Sequence, residues 1–229
     1  MRKVFILIAA ICFCLDVYAQ DYSKTEAKAE GCCPKTDSVS SFRLACDLSL
    51  YGYATKDALS LIHAAQIVKN SGLTYQAIDA PTRTSDGGKA SGEKSGSKIE
   101  LDATTLLADA TTLANGDKTL LAIIASVETC ETRGPVGGEK YSYDRVEAYS
   151  TDEYRIKFWA EDKAVVTVRG DGDTDLDLYI YDANGNLICS DTDNTDYCVC
   201  SWYPKWTGYF TIRIKNRGSV YNKYYMRAY

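Results

Sequence analysis

Aspartates are concentrated between Gly170 and Pro204, a segment that contains eight of them and neither lysine nor arginine. Like charges at neighbouring strand positions repel each other, and calcium is bound by several carboxylate and carbonyl oxygens gathered in one loop. Two uses are therefore open: a calcium site, or turn-forming aspartates that accept hydrogen bonds from backbone amides. The candidate calcium ligands are Asp171, Asp173, Asp175, Asp177, Asp193 and Asp196.

Aromatic residues are the second set that can bind a ligand. Tyrosine and tryptophan rings stack on sugar rings, while neighbouring carboxylates and amides bond to the sugar hydroxyl groups. The candidate platform consists of Tyr179, Tyr181, Tyr203 and Trp206. Core packing is the competing use of such residues, and it is the use predicted for Trp159 and Trp202. A glycan or an extracellular protein is the partner that this pattern favours.

The composition excludes several functional classes. A net charge of −5 leaves no surplus of lysine and arginine for binding nucleic-acid phosphates. His63 is the single histidine, which argues against zinc sites built from histidines and against most histidine-based acid–base catalysis. There is no G-x-S-x-G, H-E-x-x-H or Walker motif. We therefore predict no catalytic residue, and calcium is the one cofactor considered.

The N-terminus has the pattern of a signal peptide. A short basic start is followed by an apolar run from Val4 to Leu15, which is too short to span a bilayer comfortably. Cleavage is expected after Ala19. No later segment is long and apolar enough to cross a membrane, so the sequence predicts a secreted or periplasmic protein.

An exported chain meets oxidising conditions, so its cysteines are read as disulfide candidates. Seven remain after cleavage, and because seven is odd, at least one thiol stays free or pairs between molecules. Cys189 is expected to bond to one of the two cysteines that follow it, and Cys130 to Cys46 or to the Cys32-Cys33 pair. The candidates are Cys32, Cys33, Cys46, Cys130, Cys189, Cys198 and Cys200.

Apolar periodicity divides the chain into two domains. Before residue 132, residues such as Leu44, Leu48 and Tyr51 recur at helical spacing, and beyond residue 138 apolar residues alternate as in strands. The glycine-rich stretch between them breaks any helix. The predicted divisions are a signal peptide (1–19), a lead-in (20–43), a helical domain (44–132) with a flexible loop (79–98), a linker (133–138) and a β-sandwich (139–229).

One hairpin register follows from the turn sequence. Asn184-Gly185 is the strongest two-residue hairpin signal and favours a type I′ turn. Counting back from it pairs Ile180 with Cys189 and Asp182 with Leu187. Leu187 and Cys189 then face the core together with the alternate leucines and isoleucine of the preceding strand, while Tyr179 and its alternate neighbours point outward.

Two segments resemble a known family: GDTDLDLYIYD at 172–182 and WTGYFTIRI at 206–214. Together they resemble the bacterial pre-peptidase C-terminal (PPC) domain, over roughly residues 139–229. The resemblance implies a jelly-roll-like β-sandwich appended to secreted enzymes, with roles in secretion or maturation and, in some members, in binding matrix or calcium. The helical half resembles no family that we recognise.

The sequence thus predicts an α+β protein in which a small helical bundle precedes an antiparallel, jelly-roll-like β-sandwich. Its expected function is that of a secreted, non-enzymatic protein whose sandwich binds a partner or stabilises an extracytoplasmic assembly. Two alternatives remain: a sandwich that serves only export, maturation and stability, and a secreted hydrolase.

Overall fold

The computed structural model describes residues 38–129 and 140–229. Expectations for the signal peptide, for Cys32, Cys33 and Cys130 and for the linker 133–138 lie outside the described residues. The described residues belong to one compact unit. Its helices are α1 (Ser38–Thr55), α2 (Ala58–Ser71), α3 (Ala103–Ala114) and α4 (Lys118–Thr129). No helix among the described residues is long and apolar enough to cross a membrane.

Polar caps define the helix ends. The Asp57 carboxylate accepts hydrogen bonds from the first backbone amides of α2, and that helix ends at Gly72, whose φ of 67° suits glycine. Aspartate is a preferred N-cap residue, and the Asp117 carboxylate accepts from the amides of Thr119 and Leu120 at the start of α4. Helix α1 begins at Ser38, so the last part of the predicted lead-in (38–43) is helical.

The buried face of α1 differs from the prediction. Leu44 and Tyr51 are 51% and 58% exposed, whereas Phe42, Ala45 and Cys46 are fully buried. Both sets recur at helical spacing, and periodicity alone does not say which one meets the core. The buried set packs against residues of the adjacent sheet, including Tyr141 and Tyr225.

Two five-stranded sheets follow the orders β1-β3-β10-β5-β8 and β2-β4-β9-β6-β7. Their described strands are antiparallel except for the pair β1 and β3. The strands are β1 (Thr74–Tyr75), β2 (Thr82–Ser85), β3 (Lys140–Val146), β4 (Ser150–Phe158), β5 (Ala164–Gly170), β6 (Leu176–Tyr181), β7 (Leu187–Asp191), β8 (Tyr197–Trp202), β9 (Gly208–Asn216) and β10 (Asn222–Ala228).

The last eight strands form a jelly roll. Strands β3, β10, β5 and β8 make one sheet and β4, β9, β6 and β7 the other, which is the order produced when paired strands fold over as two Greek keys. The core between the sheets includes Leu178, Ile212 and Tyr224. This confirms the predicted α+β class with a jelly-roll-like sandwich. Strands β1 and β2 come from the helical half, β2 from the segment 79–98 that was predicted to be a flexible loop.

The hairpin of β6 and β7 confirms part of the predicted register. Ile180 pairs with Cys189 as expected, but Leu187 pairs with Tyr181 across a bulge. The turn is a type I turn closed by Gly185 at φ 82°, and the Asp182 carboxylate accepts from the amides of Asn184 and Asn186. The extra residue moves Leu187 to the surface, where it is 53% exposed.

Of the two tryptophans predicted to be core residues, one is buried and the other is exposed. Trp202 is buried and its ring lies edge-on to that of Phe158. Trp159, which was also predicted to be a core residue, is 65% exposed. It directly follows the last residue of β4, so its side chain lies beyond the paired part of the strand.

Candidate functional site

A groove lined by five tyrosines lies on the outer face of the sheet that contains β3 and β10. We call it the tyrosine groove. Its volume is about 720 Å³, within the range typical of sites for small ligands. Its lining includes Tyr75, Tyr141, Tyr143, Tyr221, Tyr225, Lys94, Lys98, Glu100, Asp102 and Lys223.

Strand pairing brings the tyrosines together. Tyr143 is the partner of Tyr225 in the ladder of β3 and β10, and Tyr75 is the partner of Tyr141 in the pair of β1 and β3. Because side chains two residues apart share a face of a strand, Tyr141 and Tyr143 point to the same side. Sequence positions far apart thus supply one continuous aromatic surface.

The rings form a floor and a rim. Tyr141 and Tyr225 are almost fully buried, and their ring centroids are 5.6 Å apart. Tyr143 lies 4.9 Å from Tyr225 and is 39% exposed, while Tyr75 is 60% exposed. Packing on the buried pair holds the exposed Tyr143 ring in place, which lowers the entropy that a ligand loses when it binds there.

One wall of the groove is the segment 94–102, which precedes α3. Ile99 and Leu101 anchor it in the core. The Glu100 carboxylate accepts hydrogen bonds from the amides of Leu101 and Asp102, both at 2.8 Å, and from the Tyr225 hydroxyl at 3.1 Å. Burial, together with the Glu100 carboxylate, raises the pKa of Tyr225 well above its usual value, so its hydroxyl stays protonated.

Three lysines add positive charge to the groove. Lys98 donates to Asp109 at 2.6 Å, and Lys94 pairs with Asp171 and Asp173. Within the described ranges, no ion pair forms at the Lys223 ammonium group. The groove therefore offers a hydrogen-bond donor besides its aromatic surface.

Five of the six predicted calcium ligands pair with cations from outside the aspartate segment 170–204. Lys94 binds Asp171 at 2.5 Å and also contacts Asp173, and Arg217 lies 3.3 Å from Asp177. Asp196 pairs with Arg169, and its second oxygen accepts from the Gly172 amide at 2.5 Å. Asp193 accepts from the amide and hydroxyl of Thr195, the turn use that the sequence left open.

Among residues 38–129 and 140–229, no group of three or more acidic, histidine or cysteine side chains is placed to hold a metal ion. Burial and the nearby Asp177 raise the pKa of Asp175. Burial also acts on Asp173, but hydrogen bonds from Lys94 and Ser95 outweigh it and lower its pKa. Lysine and arginine side chains thus pair with the carboxylates that were considered as calcium ligands.

The cysteines of the sandwich follow the predicted pattern. Cys189 forms a disulfide with Cys200, with the Cα atoms 5.9 Å apart, which joins β7 to β8. In the described part of the chain, Cys46 and Cys198 are buried free thiols. Burial raises the pKa of both thiols well above its usual value, so neither is ionised at neutral pH.

The predicted aromatic platform is divided between two places. Tyr179 and Tyr181 lie stacked on the outer face of β6, with centroids 6.5 Å apart. Tyr203 and Trp206 lie in the connection between β8 and β9 and are 68% and 41% exposed. The four rings of the predicted platform thus come from two segments, β6 and the connection between β8 and β9.

The tyrosine groove was not predicted from the sequence. Its signal in the sequence is the alternation of tyrosines in Tyr141-Ser142-Tyr143 and in the tail around Tyr225. Placing them together requires knowing that β3 pairs with β10, and that pairing joins residues more than 80 positions apart.

Comparison with known proteins gives structural neighbours only. No protein-family model matches the chain, and no curated protein matches its sequence. The PPC domain of Bacillus anthracis collagenase is 9% identical, with a TM-score of 0.34, over 40% of this chain and 89% of that domain. This neighbour is a member of the family that the sequence of residues 139–229 resembles.

Two further neighbours have similarly low sequence identity. The periplasmic inhibitor of g-type lysozyme from Aeromonas hydrophila is 13% identical, covering 41% of this chain and 90% of its own, with a TM-score of 0.31. A carbohydrate-binding module of Cellvibrio mixtus lichenase 5A, solved with cellotriose, is 12% identical over 36% and 72% of the two chains, with a TM-score of 0.26.

Proposed function

We propose that the protein is an exported, non-enzymatic binding protein whose tyrosine groove binds an oligosaccharide. The observation that carries the proposal is a concave surface with buried rings as its floor and partly exposed rings as its rim. Such a surface suits a ligand that is flat and apolar on its faces and polar at its edges, as a sugar ring is.

The polar groups of the groove complement the rings. The Lys98 and Lys223 ammonium groups are donors for sugar hydroxyl groups, and the carboxylates of Glu100 and Asp102 are acceptors. They stand on the wall and on β10, beside the rings. A sugar that stacks on Tyr143 would have its hydroxyl groups directed towards them.

The two carboxylates support binding without turnover. Glycoside hydrolysis needs one carboxyl group to donate a proton and a second to act as nucleophile or base. Glu100 already accepts three hydrogen bonds, and Asp102 caps α3 by accepting from the amide and hydroxyl of Thr105, both at 2.8 Å. Both carboxylates are thus already engaged as hydrogen-bond acceptors within the protein.

The test is calorimetric titration of the protein with cellohexaose, xylohexaose and chitohexaose, with product analysis of the same mixtures. We expect saturable binding of at least one of them without cleavage. Tyr143→Ala should weaken that binding by about tenfold or more, because it removes the rim ring, whereas Tyr143→Phe should bind as the wild type does.

Tyr209→Ala is the matched control, since Tyr209 is an exposed tyrosine on the other sheet. Unchanged affinity in Tyr143→Ala, or no binding of any of the three sugars, would refute the proposal. Release of shorter sugars would instead identify a hydrolase.

A further inference from the structure

Five exposed aromatic side chains lie at one end of the sandwich, where β4, β8 and β10 end and β9 begins. We call this surface the aromatic pole. Its rings are between 41% and 68% exposed, so they protrude instead of lining a groove. They are Trp159, Tyr203, Trp206, Tyr209 and Tyr229.

Backbone hydrogen bonds hold these segments together. The amide of Glu161 donates to the carbonyl of Pro204 at 2.9 Å, and Tyr229 exchanges two backbone hydrogen bonds with Val165. The amide of Ala160 donates to the Thr207 hydroxyl at 2.9 Å. The segments that carry the tryptophan and tyrosine side chains are thus hydrogen-bonded to one another and to the sandwich.

The ring of Trp206 is held on the core. It stacks on the buried Phe210 with centroids 6.3 Å apart and ring planes 17° apart, while 41% of Trp206 stays exposed. Part of the aromatic pole is therefore rigid, and burying its outer surface in a partner costs little side-chain entropy.

Lysine and arginine side chains lie close to the rings of the aromatic pole. Lys157 lies 5.3 Å from the Trp159 ring centroid, and Arg155 lies 5.3 Å from that of Tyr209. Lys163 and Lys205 are exposed in the same loops, and no ion pair forms at any of these four cations within the described residues. Glu161 and Asp162 are exposed in the same loop as Lys163, so the four cations leave a local excess of two positive charges, opposite in sign to the net −5 of the chain, which complements an anionic partner.

We propose that the aromatic pole binds an anionic phospholipid surface. Tryptophan and tyrosine favour the headgroup level of a bilayer, where the ring is partly dehydrated and the polar edge stays hydrated. Lysine and arginine beside them are attracted to anionic headgroups while their stems cover apolar surface. Protruding aromatic rings with cations beside them fit a fluid, extended surface better than they fit a single sugar chain. The proposal is independent of the tyrosine groove.

The test is co-sedimentation of the full chain with vesicles of phosphatidylcholine alone or mixed with phosphatidylglycerol. We expect binding to the mixed vesicles that weakens as salt is raised. The variant Trp159→Ala/Tyr203→Ala should bind about tenfold more weakly, and Lys157→Gln/Lys205→Gln about 20-fold more weakly. These side chains are exposed, so the melting temperature of both variants should match the wild type.

Tyr143→Ala is the control, because it alters the groove and leaves the pole intact. Unchanged vesicle binding in both double variants would overturn the proposal. So would an absence of binding to the mixed vesicles, or equal binding to both vesicle types at high and low salt. Binding of soluble dextran sulfate in place of vesicles would assign the pole to an anionic polysaccharide and also overturn it.

Discussion

At the scale of single residues, Asp152 has the most informative surroundings. Its carboxylate is fully buried and accepts from the Tyr224 hydroxyl at 2.9 Å and from Arg83 at 3.2 Å. The Tyr224 hydroxyl also lies 2.5 Å from that of Tyr154. Burial raises the pKa of Asp152 from 3.8 to about 6, although Tyr224 and Arg83 oppose this rise.

This pKa predicts how stability depends on pH. Because the pKa is higher in the folded protein than in the unfolded chain, the folded state binds the proton more tightly, and stability falls as pH rises from about 4 to about 6. We expect a loss of about 1 to 3 kcal/mol over this range. In Asp152→Asn this component should vanish.

The measurement is urea unfolding at several pH values for the wild type, for Asp152→Asn and for Asp162→Asn. Asp162 is an exposed aspartate, so its variant controls for the change in net charge. The same pH dependence in wild type and Asp152→Asn would show that another group is responsible.

Residue-scale prediction from sequence succeeded where the chemistry is local. Asp117 caps the helix that starts beside it, and Cys189 bonds to a cysteine on a neighbouring strand. It did not identify Lys94 as the partner of Asp171, because 77 positions separate the two residues. The charge of the aspartate segment was visible, but the cation that balances it comes from the other half of the chain.

At the scale of elements, the spacing of apolar residues predicted which segments are helices and which are strands. It did not always predict which face of an element is buried. The α1 stripe was assigned to the wrong face because a neighbouring set of small and apolar residues has the same period. Gly52 shows why: a Cβ there would lie 2.5 Å from a Leu61 side-chain atom, so α1 approaches α2 closely through this face. Such contacts depend on tertiary packing.

Lys94 fastens the wall of the tyrosine groove to the sandwich. Its ammonium group bonds to Asp171 and to the carbonyl of Tyr221, and only 16% of its side chain is exposed. Lys94→Met leaves two buried carboxylates without their cation, and we expect a loss of about 2 to 4 kcal/mol of unfolding free energy. Asp171→Asn in the same chain should restore part of it.

Lys98→Met is the matched control. Lys98 pairs with one aspartate, Asp109, and 48% of its side chain is exposed. Its removal should therefore cost under about 1 kcal/mol of unfolding free energy. Equal losses in the two variants would show that Lys94 is not a special anchor. A wild-type melting temperature that rises in millimolar calcium and falls with chelator would contradict the role of Lys94 as the balancing cation.

At the scale of the whole molecule, the jelly roll separates two candidate surfaces. The tyrosine groove lies on the outer face of one sheet beside the segment 94–102, and the aromatic pole lies where strands β4, β8 and β10 end. The alternation after residue 138 was enough to predict the sandwich. The groove was not predictable from the sequence, since it combines β1, the segment 94–102, β3 and β10, which are far apart along the chain.

The central claim is that the tyrosine groove is where a saccharide binds, and NMR chemical-shift mapping of the labelled protein tests it most directly. On titration with the best-binding hexasaccharide from the calorimetric panel, we expect the largest shifts at the amides of Ile99, Tyr143 and Lys223. The amides of Trp159 and Trp206, at the aromatic pole, should stay unchanged. Shifts confined to the pole or to the outer face of β6, with the groove amides unmoved, would contradict the account.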